Sequence, residues 1–174
     1  YRIAEIPRPS HHEEKIGDYF MHWAGSHGLS AVRDELGDVI IDKPASAGYE
    51  KAPKVILQAH MDMVCVAAEG VHFDPLNDPI KIINDGKTLR ADGTSLGADD
   101  GIGMALCLYI LQDTTLRHGP LRVIITVNEE DGLASVDMPA EYLDGDYLIN
   151  LDWEWHAHPC TSTAGCAFNR FTRT

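Results

Sequence analysis

No apolar run in this chain approaches the roughly 18 residues that a membrane-spanning helix needs, so no membrane partner is expected. Positive charge is also scarce: 14 Lys and Arg stand against 27 Asp and Glu, a formal net charge of −13. A nucleic-acid surface needs a basic patch, and that class of partner is excluded too. Cysteine is sparse, and Cys65, Cys107, Cys160 and Cys166 form no CxxC pair. The opening "YRIAEIPRPS" is polar and proline-punctuated, unlike a secretory signal. A reducing, cytoplasmic setting without a disulfide framework follows, with Cys107 a buried free thiol inside an apolar run. Internal repeats and low-complexity linkers are missing. The glycine-rich "GADDGIG" lacks the lysine of a phosphate loop, and its acids would repel phosphate.

The chain does have a globular composition, 44% hydrophobic over 174 residues, enough for one domain or most of one. It opens on Tyr1, not Met, and ends abruptly on "CAFNRFTRT", as a piece of a longer protein would. In "PSHHEEKIGDYFMHWAGSHGL", Ser10 and Glu13 have the spacing of a capping box. Ile16, Phe20 and Trp23 then follow at helical intervals up to a stop at Gly28. "DVIID" (38–42), "KVILQAH" (54–60), "LRVIITVN" (121–128) and "YLINLD" (147–152) read as strands, the last three buried. A hairpin is expected over 80–92 around Asp85-Gly86, and an apolar helix over 100–112, greasy on all sides. Strands alternating with helices predict an α/β fold, a three-layer sandwich about a mixed, mostly parallel sheet.

The polar residues that punctuate this pattern converge. His60 and Asp62 end one buried strand, Glu129 and Glu130 the next, and Asp152 the third; Asp99 and Asp100 open the intervening helix. In an open α/β sheet, ligands bind beyond the carboxyl ends of the strands. Each signal has an ordinary reading: a satisfied polar histidine, a solvated acidic turn, an N-cap aspartate. Their joint placement favours a divalent-metal site built from imidazole and carboxylate. His60 and Asp62, two residues apart, share one side of a strand, so Asp62 could orient a metal-binding His60 ring. One of the two aspartates could bridge two ions. One of the two glutamates could bind metal while the other serves as general base.

"LQAHMDMV", "TSLGADDGIGMA", "TVNEEDG" and "LINLD", in this order and spacing, resemble the M20 family of co-catalytic zinc peptidases. The longer stretch "HMDMV…HFDPLNDPIKIINDGKTLRADGTSLGADDGIGMA" is most similar to the family's Xaa-His dipeptidases. The likeness runs from "IPRPSHHEEKI" to about Asp152. It implies a site of two Zn2+ ions, with Co2+ or Mn2+ as possible substitutes. His60, Asp99, Glu130 and Asp152 would be metal ligands, with Asp99 the bridge. Asp62 would be the partner of His60, and Glu129 the catalytic base. It also implies a cis peptide bond after Asp99, and backbone donors for Asp100 at the helix start. The implied activity is hydrolysis of small peptides, dipeptides with C-terminal histidine above all.

On this resemblance, residues 1–174 are the N-terminal part of the catalytic domain. The lid domain, through which such enzymes form homodimers, and a further His ligand would lie outside the chain. His156 and His158, in "WEWHAHPCTSTAGC", match no family motif as substitute ligands. His11, His12, His22, His27, His72 and His118 read as helix-surface or loop residues. Two other readings stand beside this one: another M20 peptidase or N-acyl-amino-acid deacylase, and an inactive metal-binding or interaction module.

Overall fold

The computed structural model describes residues 1–132 and 137–153. The described residues form seven strands: β1 (Ser30–Arg33), β2 (Val39–Lys43), β3 (Val55–His60), β4 (Ile82–Asn84), β5 (Leu89–Ala91), β6 (Leu121–Thr126) and β7 (Tyr147–Asn150). They also form two α-helices, α1 (Glu14–Ser26) and α2 (Ala98–Gln112). Five strands make one sheet in the order β1-β2-β6-β3-β7, and β4 and β5 form the expected separate hairpin. The sheet is mixed, as expected: β3 runs parallel to both β6 and β7, while β2 runs antiparallel to β1 and β6. The three parallel strands therefore end on one edge. In register, His60 of β3 lies opposite Thr126 of β6, and Gln58 opposite Asn150 of β7.

Both helices pack on the same face. Ile16, Phe20 and Ala24 of α1, four apart, meet Met104, Cys107 and Leu111 of α2 over Val39, Ile41, Leu57, Ala59, Val123 and Ile125. Full burial of such side chains stabilises by about 1.5–3 kcal/mol each. Cys107 is the buried free thiol expected. On the opposite face Ile40, Ile56 and Ile124 are covered by Met138 and Tyr142, the latter on a 3-10 turn over Ala140–Leu143. No described helix is long and apolar enough to cross a membrane.

Three local expectations need correction. Ser10 is not the cap of α1; the helix begins at Glu14 after Glu13, and neither Ser10 nor Glu13 caps it, because both side chains are drawn to the end of the sheet. Strand β7 is exposed throughout, not buried: it pairs only with β3, and no described element lies over it. Helix α2 buries one side only; Ile102, Leu106 and Tyr109 on its outer side are exposed. The C-terminal stop of α1 is as expected. Gly28, at φ +68°, lets the Leu29 N–H reach back to the Ala24 carbonyl at 3.0 Å.

Candidate metal centre

His60 ends β3 fully buried, and its two ring nitrogens face different carboxylates. Nδ1 lies 3.2 Å from Asp62 Oδ1, and Nε2 lies 2.9 Å from Asp99 Oδ1. Glu129 Oε2 and Asp152 Oδ2 each stand 3.9 Å from Nε2. Ligand atoms of His60, Asp99 and Asp152 fall within 4.8 Å of one another, a donor set of one imidazole and two carboxylates. That set fits a divalent cation of the zinc type. Asp152 arrives because Leu151 continues past β7, its N–H donating to the Gln58 carbonyl at 2.9 Å.

Helix α2 supplies the acids of its first turn. The peptide bond between Asp99 and Asp100 is cis, as the resemblance implied. Asp99 turns outward to His60, while Asp100 is buried and accepts the Gly103 N–H at 2.9 Å and the His60 N–H at 3.3 Å. The two adjacent anions thus have different partners: His60 for one, backbone donors for the other.

Asp62 gathers four donors. It accepts the Ser10 hydroxyl at 2.7 Å, the Glu129 N–H at 3.0 Å and the Glu130 N–H at 3.2 Å, besides facing His60 Nδ1. Burial alone would raise its pKa, but the bonds from His60, Ser10 and Glu129 overcome this and hold it down at about 2. For His60, burial favours the neutral ring, yet Asp62 and Asp99 outweigh it and carry the pKa up to about 9. Burial and then the Asp99 charge push Asp152 up to about 7, against the pull of His60. Burial and Asp99 likewise raise Glu130. The carboxylates are crowded together with too little positive charge between them.

Of the residues expected at the site, the structure brings His60, Asp62, Asp99, Glu129 and Asp152 together around one imidazole. Glu130 lies on the same turn, with its N–H on Asp62, but outside the triad of close ligand atoms. His156 and His158 lie outside the described residues. Sequence reasoning passed over Arg8, which is 1% exposed. Its Nη1 donates to the Met61 and Asp62 carbonyls at 2.9 and 2.8 Å, and its Nη2 to the Gly97 carbonyl at 2.5 Å. It ties the end of β3 to the start of α2. Its only sequence signal was a lone basic residue in the proline-rich "IPRPS".

Fold and site together define an α/β domain with a candidate metal centre beyond the carboxyl ends of its parallel strands. Comparison narrows the class. The chain is 44% identical over 154 residues to the cytosol non-specific dipeptidase of Escherichia coli K12, covering 88% of this chain and 32% of that protein. The crystal structure of aminoacylhistidine dipeptidase from Vibrio alginolyticus superposes with a TM-score of 0.84 at 44% identity, over 88% of this chain and 31% of that one. A tripeptidase from Staphylococcus aureus superposes with a TM-score of 0.74 at 26% identity, over 88% and 42% of the two chains. No protein-family model matches. The chain is similar to these peptidases along 88% of its length, and its fold matches that of the aminoacylhistidine dipeptidase. It spans about a third of the length of the dipeptidases it matches.

Proposed function

We propose that this chain is the N-terminal, metal-holding part of a cytosolic peptidase that hydrolyses dipeptides, Xaa-His dipeptides such as β-alanyl-histidine above all. The observation that carries the reading is the convergence of His60, Asp99 and Asp152 at the parallel strand ends, with the Glu129 carboxylate 3.9 Å from the same imidazole nitrogen. The names of the similar dipeptidases support the substrate class and the compartment. In this reading His60, Asp99, Glu130 and Asp152 would hold two zinc ions, and the whole protein would be a homodimer, the assembly that the motif resemblance implies.

Each side chain has a task that follows from its position. Asp62 accepts the Nδ1 proton of His60, which leaves the Nε2 lone pair free to ligate. Bound divalent ions supply Lewis acidity to the scissile carbonyl and make water more acidic. Glu129 takes a proton from the attacking water and delivers it to the leaving amine nitrogen. The water oxygen ends on the acyl carbon as the C–N bond breaks. A half-buried carboxylate on a turn can make that movement, whereas buried Asp62 and Asp100 are fixed by their donors.

The experiment is a panel assay of the whole protein with zinc: β-alanyl-histidine, other Xaa-His dipeptides, a tripeptide and an N-acyl amino acid. Glu129→Gln and Glu130→Ala are run alongside. Xaa-His dipeptides should be cleaved fastest. Glu129→Gln should keep its zinc but lose about 10²–10⁴-fold in kcat, the usual contribution of a positioned base. Glu130→Ala should lose zinc together with turnover. A tripeptide or N-acyl substrate in first place would overturn the substrate assignment, and a loss below about tenfold in Glu129→Gln would overturn the base.

A further inference from the structure

Beyond Thr126, β6 leaves the sheet, and its backbone N–H groups lose their strand partners. Four successive N–H groups there each donate to a carboxylate. Val127 donates to Asp38 Oδ1 at 2.9 Å, Asn128 to Glu13 Oε1 at 3.0 Å, Glu129 to Asp62 Oδ1 at 3.0 Å and Glu130 to Asp62 Oδ2 at 3.2 Å. The three acceptors come from the start of β2, the start of α1 and the loop after β3. All are buried, at 0%, 6% and 0% exposure. Burying three anions around one turn is costly unless each is hydrogen-bonded, and charged acceptors make the stronger bonds.

The backbone departs from ordinary geometry at the same place. Among the described residues only two non-glycine residues have positive φ, His11 at 67° and Asn128 at 54°. Both types tolerate the left-handed region better than most, and the two residues meet. The His11 N–H is shared between Asn128 Oδ1 at 2.9 Å and Glu13 Oε1 at 3.1 Å, and the His11 ring reaches Asp131 at 2.5 Å. Segment 10–13 and turn 128–131 therefore brace each other. A regular strand would send Glu129 and Glu130 to opposite faces of the sheet. The left-handed step at Asn128 breaks that alternation just before them.

We infer that Glu13, with Asp38 behind it, is a positioning residue for the Glu129 turn: a cradle of carboxylates holds the backbone N–H groups of 127–130 and thereby aims the general base. Glu13 touches no substrate and no ligand atom of the metal centre. It acts by fixing the backbone from which Glu129 projects. This rests on the assignment of Glu129 given above, and it extends it to residues whose spacing had suggested a helix cap.

The test compares Glu13→Ala with Glu13→Gln in the whole zinc-loaded protein; the amide oxygen of glutamine keeps the acceptor. Two quantities are read, steady-state kinetics on β-alanyl-histidine and hydrogen exchange of the amides of 127–130. Displacing a catalytic group by about 1 Å costs on the order of 10²-fold, so Glu13→Ala should lose about 10- to 100-fold in kcat with KM little changed. Its amides at 128–130 should exchange at least about tenfold faster, as in a locally opened segment. Glu13→Gln should recover most of both. Equal losses in the two variants, or an alanine variant with normal kcat and normal exchange, would overturn the cradle. If Glu13→Ala does not fold, Glu13→Asp takes its place. It keeps the charge but shortens the arm by one methylene and so withdraws the acceptor from the Asn128 N–H, and it should show the same faster exchange; unchanged exchange counts against the proposal. A wild-type protein that cleaves no peptide defeats the functional reading, while the exchange measurement still decides the cradle.

Discussion

Arg8 and Asp38 are both buried, with opposite consequences for charge. Burial draws the Arg8 pKa down to about 10 while Cys65, Asp62, Asp100 and Asp99 pull it back up, so the guanidinium stays charged at neutral pH. It is a fixed cation beneath a group of acids. Among the described residues Asp38 has no such neighbour: Oδ1 holds the Val127 N–H, and Oδ2 has no partner there. Burial pushes its pKa up to about 6, against the Val127 bond and with help from Asp34 and Glu13. An acid raised in the folded state stabilises fully below its unfolded pKa, and that stability is lost as pH rises through the folded one. The window runs from about 4 to about 6, and a shift of roughly two units bounds the loss at about 3 kcal/mol. Asp38→Asn keeps an oxygen for Val127 and removes the titration. In urea unfolding at pH 4 and pH 7, wild type should lose up to about 3 kcal/mol relative to this variant at the higher pH. The same pH dependence in both proteins would remove Asp38 from the account.

At the level of elements, the apolar runs at 54–60 and 121–126 were legible because a strand covered on both faces must be continuously apolar. The polar residues that end them, His60, Asp62 and Glu129, were legible for the same reason: they interrupt a rule. Partners distant in sequence were not. Ser10 and Glu13 have capping-box spacing, yet they bond to Asp62 and Asn128, and nothing local reports a contact 52 or 115 residues away. The exposure of β7 was equally hidden, because its "YLIN" pattern gives no sign of what covers it. Gly97, before α2, shows how tightly such long-range contacts are built. Its φ is +64°, and a Cβ there would stand 2.5 Å from Arg8 Nη2 and from Met63 Sδ. Gly86 in the hairpin turn has a similar φ of +86° with open space around it. Left-handed strain alone costs about 1–2 kcal/mol, and overpacking adds about 1–3. Denaturant titrations should therefore show Gly97→Ala destabilised by about 2–5 kcal/mol and Gly86→Ala by about 1–2. Equal losses would mean that Arg8 yields to the added methyl group.

For the whole molecule, the question is how a chain of net charge −13 tolerates a cluster of acids at one end of its sheet. Asp62 and Asp100 are held by hydrogen-bond donors, and Arg8 lies beneath them. Among the described residues, Asp99, Asp152 and Glu129 have only the His60 ring between them, and the high pKa of Asp152, about 7, registers that shortage. A divalent cation held by His60, Asp99 and Asp152 would meet it, and any ligand that binds the folded state alone also stabilises that state. At a free concentration 100 times its Kd the gain is about 2.7 kcal/mol. With about 2–4 °C per kcal/mol for a unit of this size, zinc should raise the melting temperature of the metal-stripped protein by about 5–11 °C. Thermal unfolding with and without zinc measures this directly. The rise should vanish in His60→Ala, which removes the only imidazole of the donor set, and persist in Glu129→Gln, which keeps all three donors. A rise of the same size in His60→Ala would move the cation elsewhere on the acidic surface and leave the strand ends without their proposed occupant.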